Sequence, residues 1–184
     1  MIFLINNLIE YNIAYWVLLI ILNPMLNSKK ILAIIPARGG SKKIKNKNIV
    51  KIKKKPLLGY TIEQALKSKY IDEICLSSDS IKIINIAKSF GLNVFFKRPK
   101  ILSTDYALTK DVVKHALKKS KKYFKKKFDY FILLQPTCPL RKSFHIDQSI
   151  KKLISSKHNS LISICDVDGY HPNRMKVIKK KFIV

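Results

Sequence analysis

Residues Pro36-Ala37-Arg38-Gly39-Gly40-Ser41-Lys42 bring together the chain's only Gly-Gly pair, an arginine and a lysine. Glycines reach φ > 0 and let backbone amides approach an anion closely, while Arg38 and Lys42 offer charge to phosphate oxygens. A plain turn is the competing reading, because Gly-Gly punctuates chains of every kind. Neither GxxxxGK[ST] nor GxGxxG occurs here, so a P-loop and a dinucleotide-binding turn have no support. Lysine alone discriminates little: Lys51 to Lys55 holds four lysines in five residues and no glycine.

Arginine discriminates better because it is scarce, at four of 37 basic residues: Arg38, Arg98, Arg141 and Arg174. Each follows the end of a predicted strand, the side on which open α/β sheets receive ligands, and its planar fork matches phosphate or carboxylate. A second loop, Gln135-Pro136-Thr137-Cys138-Pro139-Leu140-Arg141, is stiffened by two prolines and opens on a side chain that both donates and accepts. Gln135 suits recognition of a polar ligand; a rigid connector with Gln135 capping the strand is the alternative. Asp79 either helps hold a cation or caps the helix that follows it, the cap being the simpler reading. His115, His145, His158 and His171 share no metal-binding spacing, and no Ser/His/Asp set can be placed. The first three read as solvated or locally bonded, whereas His171, past the fifth predicted strand, is a ligand candidate. Cys75, Cys138 and Cys165 are odd in number and lack CxxC spacing, as buried reduced thiols of a cytosolic protein would be.

These loops hang on an alternation of short apolar runs and amphipathic stretches. The runs are 31–35, 73–77, 93–96, 129–135 and 160–165, mostly continuous in apolar character, as strands covered on both faces are. Helical patterns start at Thr61 and at Ser80, the second with Ser80 as N-cap, Ile81, Ile84 and Ala87 on one face and Gly91 as stop. Two more start at Thr109, with a stripe of Val112, Val113, Ala116 and Leu117, and around Ile146, Ile150, Leu153 and Ile154. Strand and helix in turn predict a three-layer α/β domain with a mostly parallel sheet.

A length of 184 residues and 47% hydrophobic content give one globular domain with a real core. The net charge of +26 invites a nucleic-acid reading, but the excess is lysine in a sequence also rich in Ile and Asn, and no nucleic-acid-binding fold motif is present. No nucleic-acid partner is expected. Residues 1–24 are apolar but interrupted by Asn6, Asn7, Glu10 and Asn12, and the clean run 13–22 is short for a membrane span. They read either as an anchor or as sequence upstream of a start at Met25, with no secretory signal pattern.

Taken together, the segments resemble the acylneuraminate cytidylyltransferase family: the CMP-sialic acid synthetases and their relatives for bacterial nonulosonic acids. The matching segments are IPARGGSK (35–42), KNKNI (45–49), KPLLGYTIEQAL (55–66), LSSDS (76–80), FKRPKILSTD (96–105), DVVKHAL (111–117) and LLQPTCPLR (133–141). They follow the family's order and span Lys29 to about Lys180. The resemblance implies a Rossmann-like nucleotidyltransferase fold and transfer from CTP to the anomeric hydroxyl of a nine-carbon 2-keto acid sugar, sialic, legionaminic or pseudaminic, with release of pyrophosphate.

It also implies roles. Arg38 and Lys47 would be catalytic, neutralising phosphates; Ala37, Arg38, Gly39, Gly40, Ser41, Lys42, Asn48, Arg98 and Thr109 would contact CTP. Gln135 and a basic residue, Arg174 or Lys176, would meet the sugar. Ala107 stands where some relatives carry a hydroxyl residue, so that contact is lost. Mg²⁺ is the implied cofactor, but the family's metal-binding aspartates and its dimer-building arm fall beyond Val184. A cytidylyltransferase domain over 29–184, incomplete at its C-terminus, is the expectation, either as part of a cytoplasmic homodimeric enzyme or as a non-catalytic fragment.

Overall fold

A computed structural model describes residues 28–41, 44–156 and 158–164, together with the backbone of 178–179 and 182–183. Its elements, in chain order, begin with β1 (Ile31–Pro36), β2 (Lys51–Ile52), β3 (Lys55–Pro56), α1 (Leu57–Leu66) and β4 (Glu73–Ser77). There follow α2 (Ile81–Ser89), α3 (Thr109–Phe124), β5 (Tyr130–Leu133), α4 (Ser143–Ile154) and the hairpin of β6 (Ile178–Lys179) with β7 (Phe182–Ile183). Single 3₁₀ turns occupy Lys47–Ile49 and Lys100–Ser103.

A strand with no polar side chain must be covered on both faces, and β1 is. It is the middle strand of a three-stranded parallel sheet of order β4-β1-β5, with Pro36 opposite Ser77 and Ile34 opposite Leu133. Its side chains alternate between two cores: Ile31, Ala33 and Ile35 pack with α1, α2 and α4, while Leu32 and Ile34 pack with Cys75 and α3. Each of the large ones contributes roughly 1.5–3 kcal/mol by leaving water. The three-layer α/β architecture expected from the sequence is the one observed. Burial pushes the Cys75 thiol up to about 11, so it stays protonated at neutral pH. Cys165 lies outside the described residues.

From β1 the chain crosses to β4 on one side and later to β5 on the other, so the carboxyl end of β1 is a topological switch point. Residues 36–41, 77–80 and 134–137 all emerge there.

Two expected strands are not formed. Residues 93–96 make no ladder; Phe95 and Phe96 instead pack against α3, Phe95 stacking on Tyr123 with centroids 4.3 Å apart and Phe96 meeting His115 edge-on. The apolar run there signals an aromatic layer. In 161–164 the burial runs opposite to a core strand, with Ser163 inside and Ile162 and Ile164 turned out. Helix α1 begins at Leu57 and not at Thr61. Its Gly59 allows the Phe90 ring to lie on the helix, since a Cβ there would fall 2.5 Å from Phe90 Cζ. Helix α2 has the expected ends, with Ser80 accepting from the Ile83 N–H and Gly91 at φ 85°, but Ile83 and not the exposed Ile81 completes its buried face. Residues 1–24 lie outside the description; among the described residues no helix is long and apolar enough to cross a membrane.

Candidate functional site

A cavity of about 610 Å³ opens at the carboxyl ends of the strands. Seven of the residues singled out from sequence line it: Arg38 and Ser41 after β1, Lys47 and Asn48 on the first 3₁₀ turn, Arg98, Thr109 at the start of α3, and Gln135 after β5. Ala107 lines it as well. The placement follows from local structure. Asn46 takes a left-handed conformation (φ 56°) that turns the chain into Lys47–Ile49, and the buried Asn48 then donates from Nδ2 to the Arg38 carbonyl at 2.9 Å. The two halves of the first motif are thus fastened to each other.

Three of the residues expected to contact CTP do not line the cavity. Ala37 is fully buried and continues the ladder, its N–H donating to the Ser77 carbonyl at 2.9 Å. Gly39 gives its N–H to Asp79 Oδ1 at 3.0 Å. Neither residue, nor Gly40, lines the cavity. Gly39 and Gly40 are also not at positive φ. Position 39 excludes a side chain because a Cβ would lie 2.9 Å from Ser80 Cβ, whereas a Cβ at 40 would meet nothing within 4 Å. Ser80 and not Asp79 is the helix cap; Asp79 ties the glycine turn to the end of β4. Lys42 and Arg174, like His171 and Lys176, lie outside the described residues.

The electrostatics centre on arginine. Arg98 is buried, with its Nη2 donating to the Ser77 carbonyl, its Nη1 to Leu102 O at 3.3 Å and its backbone N–H to Ser78 O at 2.7 Å. Burial lowers its basicity, Asp79 opposes that shift, and the charge of Arg38 adds to it. Arg38 is partly exposed and forms a 2.6 Å ion pair with Asp105. Arg141 is buried behind the second loop, donating from Nη2 to the Gln135 carbonyl at 2.7 Å, while Nε and Nη1 have no hydrogen-bond partner among the described residues.

Asp105 and the holding role of Arg141 escaped the sequence reading. The scarcity that drew attention to arginine applies equally to acids, at 11 residues in the chain, and would have added Asp105 to Asp79. Among the described residues no three His, Cys, Asp or Glu side chains converge into a ready-made metal cage, and Asp79 and Asp105 each have a carboxylate oxygen engaged, by the Gly39 N–H and by Arg38.

A covered parallel sheet with its polar cavity at the switch point defines a Rossmann-like α/β domain. The structure of a CMP:2-keto-3-deoxy-manno-octonic acid synthetase complexed with CTP shares this fold, with a TM-score of 0.56 at 22% identity over 68% of this chain and 47% of that one. The cytidylyltransferase family model matches residues 32–180, and the chain belongs to that family. It is 45% identical over 122 residues to the N-acylneuraminate cytidylyltransferase of Escherichia coli O18:K1:H7, covering 66% of this chain and 28% of the relative. It is 39% identical over 141 residues to the pseudaminic acid cytidylyltransferase of Campylobacter jejuni serotype O:2, covering 76% and 60%. The match therefore spans less than two thirds of the length of either relative.

Proposed function

We propose that this chain carries the nucleotide-binding part of a cytidylyltransferase that activates a nonulosonic acid with CTP, giving a CMP-sugar and pyrophosphate. The observation that supports it is convergence: side chains from five separate segments, Arg38, the Lys47–Asn48 turn, Arg98, Thr109 and Gln135, line one cavity at the switch point. Nucleotidyl transfer asks little covalent chemistry of a protein. Positioning and cancellation of developing charge dominate, and no protein nucleophile is needed. Arg38 and Lys47 are the cations for the phosphates, Asn48, Arg98, Ser41 and Thr109 the nucleotide contacts, and Gln135 the contact to the acid sugar. We place the enzyme in the cytoplasm as a homodimer, using Mg²⁺ and feeding cell-surface polysaccharide synthesis. No step is assigned to the metal through the described residues.

CTP-dependent pyrophosphate release, assayed on the whole protein with sialic, legionaminic and pseudaminic acids, tests this reading. Turnover with one of the three is expected, and its absence with all three refutes the transferase assignment. Arg38→Ala is expected to cut turnover on the order of a hundredfold, the loss typical when one preorganised charge donor is removed, with the far-ultraviolet dichroism unchanged. An unchanged rate removes Arg38 from the mechanism. A second reading is CTP binding without transfer. Its signature is CTP affinity with no pyrophosphate released.

A further inference from the structure

Arg38 is held in the cavity it lines. Its Nη1 donates to the Thr104 carbonyl at 2.8 Å and its Nη2 to Asp105 Oδ1 at 2.6 Å. Both acceptors lie just after the Lys100–Ser103 turn, so two adjacent residues grip one guanidinium plane, a carbonyl on one nitrogen and a carboxylate on the other. Two of the five N–H donors are used among the described residues, and three remain for a ligand.

The hold matters because of what stands beside it. Arg98 lines the same cavity, and the charge of Arg38 already depresses its basicity, so the two guanidinium groups repel. A long side chain with about a third of its surface in solvent would relieve that repulsion by turning outward, and would gain rotamer freedom in doing so. Asp79, the other carboxylate near the glycine turn, is engaged by the Gly39 N–H.

We propose that Asp105 is a positioning residue of the nucleotide site: it aims the Arg38 guanidinium into the cavity, so that a CTP phosphate meets a charge already in place. The inference rests on reading this cavity as the CTP site. Simple electrostatics predicts the opposite effect of removing it. A carboxylate next to a triphosphate repels it, so an Asp105 with no positioning role would, when neutralised, leave CTP binding tighter. The two accounts differ in sign.

The experiment is calorimetric titration of the chain with CTP and, separately, with cytidine. Asp105→Asn is expected to raise the Kd for CTP about tenfold, the loss of one charge-assisted hydrogen bond's organisation, and to leave the Kd for cytidine within about twofold. Asp105→Glu keeps the charge but shifts the grip by one methylene, and should fall between the two. Tighter or unchanged CTP binding by Asp105→Asn overturns the proposal, as does an equal loss for CTP and cytidine, which would mean a general collapse of the cavity. Should Asp105→Asn not fold, Asp105→Glu decides alone, and an unchanged CTP Kd overturns it. A wild-type chain that binds no CTP removes the CTP reading itself and the proposal with it, whereas an Arg38→Ala variant that binds CTP normally overturns the proposal and leaves the CTP reading standing.

Discussion

Gln135 borders two cavities made of opposite materials. On one side is the 610 Å³ cavity of Arg38, Lys47, Asn48, Arg98 and Thr109; on the other is a groove of about 760 Å³ along β5 and α4, walled by Ile31, Tyr130, Ile132, Ile150 and Leu153. The groove's charged residues, Lys29 and Asp129, lie at its rim 3.9 Å from each other. Size alone would select the groove. The difference lies in what each wall costs the fold. Burying Arg98 and Arg141 with N–H groups unpaired among the described residues opposes folding, whereas burying Ile150 favours it. Retained cost marks the polar cavity and its supporting loop as the place where residues serve a ligand, and the groove as part of the core.

Substitution on the groove side gives the largest expected effect. Ile150→Ala should cost roughly 2–5 kcal/mol of unfolding free energy, read from denaturant titration, because it empties a buried position of the main core. CTP affinity should stay as it is. A parallel fall in both would erase the distinction between the two regions. Arg141→Met sharpens it from the other side. The substitution removes a buried guanidinium whose Nε and Nη1 have no hydrogen-bond partner among the described residues and whose basicity is lowered by burial, so stability should be unchanged or higher by roughly 1 kcal/mol. The loop loses its 2.7 Å bond to the Gln135 carbonyl, and turnover should fall through a raised KM for the acid sugar and not for CTP. A clear drop in melting temperature would instead make Arg141 a stabilising residue.

Much of this was legible in the sequence, for identifiable reasons. β1 could be read because a continuous apolar run of six residues leaves a buried strand few alternatives, and β4 because Ile74, Cys75 and Leu76 form a short apolar run between polar ends. Ser80 and Gly91 could be read because caps are local chemistry. The run 93–96 misled because an aromatic layer and a strand look alike when only apolar character is visible. In the site, scarcity and spacing led to Arg38, Arg98 and Gln135, but the pairing of Arg38 with Asp105 spans 67 residues and no local pattern reports it. Position 39 shows the same limit. The Gly-Gly pair was legible as a special backbone, yet its reason, the close approach of Ser80 at 39, belongs to tertiary structure.

The smallest expected effect concerns the layer behind the polar cavity. His115, on α3, has its Nδ1 buried without a hydrogen-bond partner among the described residues, and its ring meets Phe96 edge-on at 5.2 Å. Burial lowers its pKa from 6.5, and repulsion from Lys119, Arg98 and Lys118 lowers it further. The unfolded chain therefore takes up this proton more readily than the folded one. Linkage then fixes the sign: the contribution of His115 is constant well above pH 6.5 and turns against the folded state as pH falls through that value, levelling off once the folded ring is protonated too. His145 is shifted the same way by burial, Lys142 and Arg141, and adds a slope of the same sign. Unfolding free energies of wild type and His115→Gln at pH 7.5 and 5.5 should thus diverge on acidification, with the wild type losing more while His145 gives both a common decline. A wild type that loses less than the variant would mean that His115 finds an anionic partner on protonation, and that the wall behind the Arg98 side of the cavity is not the cation-repelling layer its surroundings define.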